Sequence, residues 1–218
     1  MKKLILLLFI PLFFACSSDD SSDDNTNPTD DTNPVYLDAN GVTIKARDWA
    51  VVGDSGVING VTYTIVDGAT LRTMIDNGDD VTRACTSRIT NMSNLQLDNT
   101  FTQDIKSWDV SNVTNMQQMF NGAENFNHNI SSWDVSSVIN MTQMFRVALS
   151  FNQDISNWDV SNVQQMTAMF SVAESFNQDL SSWDVTNVTS LCNDFCIGAT
   201  NWTLPKPNFT DDCYLGCD

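Results

Sequence analysis

The chain writes one sentence four times over. Phe101, Phe126, Phe151 and Phe176 lie 25 residues apart, and Trp108, Trp133, Trp158 and Trp183 keep the same interval. So do Asp109, Asp134, Asp159 and Asp184, together with valines at 110, 135, 160 and 185 and at 113, 138, 163 and 188. A period of about 20 to 50 residues marks a stacked array, in which a unit buries its apolar face only against its neighbours. Architecture therefore claims the repeated residues first, and function has to be sought on the surface of the stack.

Within one unit, residues 162–173 read NVQQMTAMFSVA. Val163, Met166, Met169/Phe170 and Ala173 fall at the spacing of one helical face, which predicts a short helix with Ser161 or Asn162 as its N-cap. Residues 151–160 (FNQDISNWDV) lack helical spacing and predict a short strand near 155–158. One strand and one helix per unit describe an α/β repeat solenoid, a leucine-rich-repeat-like stack of parallel strands about 4.8 Å apart. The four tryptophans would then form an internal ladder, each burying about 150–250 Å².

The phrases FNQDISNWDVSNVQQMTAMF (151–170) and SWDVSNVTNMQQMF (107–120) resemble the BspA-like leucine-rich repeat surface proteins, bacterial lipoproteins and secreted proteins built from 25-residue units. The resemblance is strong over 81–200. It implies a cell-surface, non-catalytic protein that works by adhesion or partner binding, and it supplies no ligand.

The first fifteen residues place Lys2 and Lys3 before an apolar run from Leu4 to Phe14. Eleven apolar residues are too few to span a bilayer as a helix, and basic residues before a short apolar core describe an export signal over 1–15. Phe13-Phe14-Ala15-Cys16 resembles a bacterial lipobox, with Cys16 acylated as the mature N-terminus. Residues 16–34 hold no aromatic or aliphatic residue before Pro34 and six aspartates, so they read as an acidic disordered tether. A Ser-Asp run after the cysteine resembles the signal that carries some Gram-negative lipoproteins to the outer face of the outer membrane. The expected localisation is thus the bacterial outer membrane, lipid-anchored and exposed at the cell surface.

Residues 35–80 do not repeat. Asn40-Gly41 and Asn59-Gly60 each lie between apolar-rich arms and predict hairpins, and residues 69–75 predict a helix with Asp67 as cap and Gly78 past its end. This block reads as an N-terminal cap for the stack, with a shorter, degenerate coil around Ile89, Met92 and Leu95 before the clear units of 81–200.

Residues 201–218 leave the repeat and read as a C-terminal cap. Counting in 25s puts Leu191 where Met166 stands, Asp194 where Met169 stands, and Cys192 and Cys196 at positions that are polar elsewhere. With Cys213 and Cys217 these form two Cys-x-x-x-Cys pairs. A four-thiolate zinc site is open to them, but an oxidising compartment favours disulfides. Three pairings are open. Cys192–Cys213 with Cys196–Cys217 ties the departing tail to the last coil. Cys85, far off in sequence, is left over as a buried free thiol.

The remaining constellations carry no chemistry. The aspartate ladder could hold Ca²⁺, yet Asp before Ser-Asn more often caps backbone N–H groups in a turn. His128 is the one histidine, replacing a glutamine of its neighbours, so no Ser/His/Asp or Cys/His set can be built elsewhere. Carboxylates recur at equivalent places in every coil, whereas glycosidase chemistry needs one coil to differ. No cofactor is expected, and no enzyme.

A net charge of −17, which becomes −19 once Lys2 and Lys3 leave with the signal, opposes nucleic acid as a partner. Two readings remain: a module that binds a host or neighbouring-cell protein or glycan, and a structural spacer without ligand. Both need the anchor. Cys16→Ser should release the protein from membranes or stall its processing, and mass spectrometry of the mature N-terminus checks it; an unmodified terminus at another residue would exclude the lipobox.

Overall fold

The computed structural model describes residues 32–95, 97–189, 191–210 and 217. The export signal, Cys16, the tether up to residue 31 and Cys213 lie outside the described residues.

The chain opens with a hairpin, β1 (Val35–Leu37) and β2 (Ile44–Ala46), paired antiparallel with Tyr36 opposite Lys45. Its loop is set by Asn40, whose carboxamide oxygen accepts from the amides of Val42 and Thr43, and by Gly41 at φ 71°. A second hairpin joins β3 (Ser55–Ile58) to β4 (Val61–Ile65). Asn59 and Gly60 have φ of 50° and 75°, and two consecutive left-handed residues are what a two-residue hairpin turn demands. Helix α1 (Gly68–Asn77) follows, with the Asp67 carboxylate accepting from Thr70 N at 2.8 Å and left-handed Gly78 returning its amide to the last turn. Strand β5 (Ala84–Cys85) then pairs parallel to β4 and leads into the repeats.

These elements enclose a small core of Val35, Ile44, Ala46, Ala50, Ile58, Ile65 and Cys85. The core is fastened to the stack by polar bonds. Ile44 N donates to Ser107 O at 2.9 Å, and Ser87 Oγ accepts from Ala46 N while donating to the Asp109 carboxylate at 2.5 Å. The Arg88 guanidinium donates to the carbonyls of Arg47, Asp48 and Ala50, and Arg72 ties α1 to the carbonyls of Ser93 and Asn94.

Beyond Cys85 the structure is mostly non-regular, and here the sequence expectation fails. Residues 162–173 form no helix, and residues 155–158 form no strand but a turn at Ser156 and Asn157. The parallel pairing lies in the stretch read as helical, through bridges linking Asn91, Asn115, Asn140, Gln165 and Leu191 in succession. Within it, alternate amides donate to the next unit: Met116 N to Asn140 O, Gln118 N to Thr142 O and Phe120 N to Met144 O, all at 2.9 Å. The amides between them close turns three residues back, as Met119 N does to Met116 O and Ala123 N to Phe120 O. A helix would spend all of these amides internally.

The turns need a left-handed residue every fourth position, supplied by Gln118 and Gly122, Gln143 and Val147, Ala168 and Val172, and Asp194 and Gly198. Successive turns of three and four residues produce the same apolar spacing as a helical face, which is why periodicity misreads them. Valine at φ 58° and 59° is costly in isolation, and the bonds to both neighbouring coils hold it there.

The last unit also shifts register. Left-handed Asp194 and Gly198 stand 26 residues after Ala168 and Val172, and Gln165 bridges to Leu191. One residue has been inserted, so Cys192 takes the place of Met166 and Cys196 that of Phe170. Both cysteines are buried, in apolar core positions and not in the polar ones that counting in 25s gives.

The main core runs the length of the stack. Trp108, Trp133, Trp158 and Trp183 are all buried, and each indole N–H reaches a carbonyl of the preceding unit: Val81, Ile105, Ile130 and Ile155, at 3.0–3.3 Å. Trp202 stands 26 residues after Phe176 and takes its place in a file of rings, 4.7 Å from the Phe176 ring and with its N–H on Gln178 O at 2.9 Å; sequence reading missed it because the inserted residue moves it off the 25-residue interval. Two phenylalanine files lie beside the tryptophans. Phe120, Phe145 and Phe170 stack at 5.5 Å, and Phe126, Phe151 and Phe176 at 5.9 and 5.8 Å. At the far end Phe195 and Trp202 turn edge-on to Phe170 and close the file.

Trp158→Ala removes a rung and its hydrogen bond together, and should destabilise by about 3–5 kcal/mol. Thermal or denaturant unfolding at pH 7 measures it, and a curve superimposable on wild type would contradict the ladder.

Candidate functional site

The repeated unit distributes its charge unevenly, and the folded stack turns that pattern into faces. Residues 112–123, 137–148 and 162–173, the stretches of the turn ladder, contain no carboxylate at all. Arg146 is their one charged residue. Their outward side chains are Thr114, Ile139 and Gln164 in one row, Asn115, Asn140 and Gln165 in the next, and Gln117, Thr142 and Thr167 beyond. The Gln118 carboxamide donates to that of Gln143, which joins two successive coils through their side chains.

The carboxylates gather on the stretches between. Asp154 accepts from both the amide and the hydroxyl of Ser156, Asp159 from those of Ser161, and Asp179 from those of Ser181. Asp184 does the same with Thr186. In each case the hydroxyl bond, then the amide bond, holds the carboxyl below its ordinary pKa. Asn129 takes the place of Asp154 and Asp179 in its own unit and makes the same two bonds before Ser131 without a charge, while Asp134 with Ser136 matches Asp159 and Asp184. Turn capping therefore accounts for the ladder, and among the described residues no group of three metal-ligating side chains converges.

Asp109 stands apart from its copies. It is 4 % exposed, and it receives Ser111 on one oxygen and, on the other, Ser87, whose hydroxyl in turn accepts from Ala46 N of the cap, so it is the joint between cap and stack.

Outward asparagines also stitch coils together: Asn152 N donates to the Asn127 side chain and Asn177 N to that of Asn152, at 3.0 and 2.9 Å. Asn112, Asn162 and Asn187 reach the carbonyls of Ser87, Ser136 and Ser161. These positions serve the scaffold. His128 is half-buried against the Phe126 ring at 5.6 Å, with no nucleophile beside it in the contacts described.

Of the cysteines, Cys196 is bridged to Cys217 and Cys192 is disulfide-bonded. The partner expected for Cys192, Cys213, lies outside the described residues. Cys85 is free and buried in the smaller core, and desolvation pushes its thiol pKa up, away from the reactive thiolate.

The family described as Mycoplasma protein of unknown function, DUF285, matches residues 70–145 and again 90–203, together more than half of the chain, and the chain belongs to that family. No curated protein and no solved structure matches it.

The capping role of the ladder makes a pH prediction. Carboxyls with a lowered folded-state pKa contribute stability that is fully present above the unfolded value, near pH 4, and is lost as pH falls through the folded value. Asp154→Asn keeps both acceptor bonds, as Asn129 shows, so it should change stability at pH 7 by under about 0.5 kcal/mol and reduce the acid loss. Melting curves at pH 7 and pH 3 check it; a large loss at pH 7 reversed by Ca²⁺ would instead make the interrupted row of Asp104, Asp154 and Asp179 a metal site.

Proposed function

We propose that this member of the DUF285 family is a lipid-anchored protein of the bacterial outer surface, built as a BspA-like, leucine-rich-repeat-related stack, that binds protein or glycan without catalysis. The observation that carries the reading is the carboxylate-free face. On a chain of net charge −17, three successive units keep one face clear of acid and line it with amides and hydroxyls. Amides and hydroxyls donate and accept in pairs at the coil interval, which suits an extended ligand with its own repeated hydrogen-bonding groups, such as a glycan or a polypeptide strand.

The competing reading, a structural spacer with no ligand, draws on the fact that many outward residues serve the scaffold. Binding separates the two. Residues 32–218, probed on glycan and host-protein arrays, should give a hit that Thr142→Arg with Thr167→Arg weakens about tenfold or more, since a rigid contact face tolerates little added bulk. Absence of any hit, or a hit indifferent to this pair, would favour the spacer.

A further inference from the structure

The described residues include eight large hydrophobic side chains that are exposed, and four of them fall within nine residues of the N-terminal cap: Trp49 at 53 %, Val51 at 61 %, Val52 at 44 % and Val57 at 40 %. The other five tryptophans are buried, each with its N–H on a carbonyl. Trp49 breaks that rule, and its backbone is held firmly. Arg88 clamps the carbonyls on both sides of it, those of Asp48 and Ala50, and Ala50 N closes a turn to Arg47 O at 3.0 Å. Val51 N is fixed by the Asp54 carboxylate at 2.9 Å and Gly53 N by Ile65 O. The loop therefore presents its indole and valines at little cost in ordering.

The chain enters this region from the tether. Asn33 donates to Val57 O at 2.8 Å, and its own carbonyl accepts from Arg47 at 3.1 Å, so the entering strand is bonded on both flanks of the exposed group. Fifteen residues, or sixteen steps of the backbone, separate Cys16 from Thr32, at most about 55 Å when fully extended. The segment that carries this group is close to neutral, although the rest of the cap, residues 59–80, sets Asp67, Asp76, Asp79 and Asp80 against Arg72. Between residues 33 and 58, Lys45 and Arg47 nearly balance Asp38, Asp48 and Asp54, whereas residues 101–200 hold two basic residues against ten acidic ones.

We propose that Trp49, Val51, Val52 and Val57 form a lipid-contact surface that seats the N-terminal cap on the bilayer carrying the anchor. The proposal rests on the anchor reading of Cys16. Indole and aliphatic groups lodge at the headgroup level, and near-neutral surroundings avoid the repulsion that the acidic stack would meet. Seated in this way, the cap would set the stack at a fixed angle to the membrane.

The test couples the mature chain, residues 16–218, through Cys16 to a maleimide phospholipid in phosphatidylcholine vesicles whose acyl chains carry bromine, a contact quencher of indole emission. Wild-type emission should be quenched, and Trp49→Phe should lose that quenching because the five remaining indoles are buried. Without coupling, Trp49→Ala should lower vesicle partitioning about tenfold with an unchanged melting temperature. Equal quenching in wild type and Trp49→Phe, or none in either, would overturn the proposal. A glycan-array signal that Trp49→Ala abolishes, without quenching, would overturn it in favour of a sugar platform. Because the coupling is chemical, quenching is read whether or not Cys16 is acylated in the cell, and the N-terminal mass spectrum judges the anchor separately.

Discussion

Every second amide in the turn stretch has to find its acceptor in the next coil. A coil whose neighbour is missing leaves those amides without protein partners and opens its file of tryptophan and phenylalanine to water. Both are costly, the first at about 1–3 kcal/mol for each buried group left unsatisfied. The rest of the molecule answers this constraint. Left-handed residues recur because each alternate amide must point out of its own coil. Indole N–H groups reach back to the preceding coil for the same reason, since a buried donor needs an acceptor. Among the described residues no buried side-chain nitrogen or oxygen is left without a partner.

The two ends meet the constraint by different means. At the start, β4 offers the first coil a parallel strand, and Ser87 and Asp109 lock the joint. At the finish a one-residue insertion drops cysteines into the places of Met166 and Phe170, and covalent sulfur stands where another aromatic rung would have needed a further coil to pack on. The rings of Phe195 and Trp202, edge-on to Phe170, fit that ending, because they fill the space without offering a parallel face for stacking.

The period, the tryptophan file and the cap hairpins were legible because they rest on residue identity at fixed intervals or on local turn chemistry such as Asn59-Gly60. The inside of the unit was not. Met166, Phe170 and Ala173 show a spacing that a helix and a run of tight turns share, and only the left-handed backbone at Ala168 and Val172 separates them. Neither residue type announces that conformation. Gly122 and Gly198, at the position of Val172 in other units, were the available signal. The neutral face was equally present in the sequence, as three stretches without a carboxylate. It became a face only once the turn ladder put those stretches side by side.

The inserted residue of the last unit bears on how such a chain lengthens. An internal unit offers the same amides and the same ring faces on both sides, so a duplicated copy of 25 residues can be accepted between any two of them, moving everything beyond it outward by about 4.8 Å. The terminal unit cannot be copied in this way, since its cystine-filled floor has no aromatic file to hand on. Growth is thereby confined to the interior, and both ends are inherited intact whatever the length of the array.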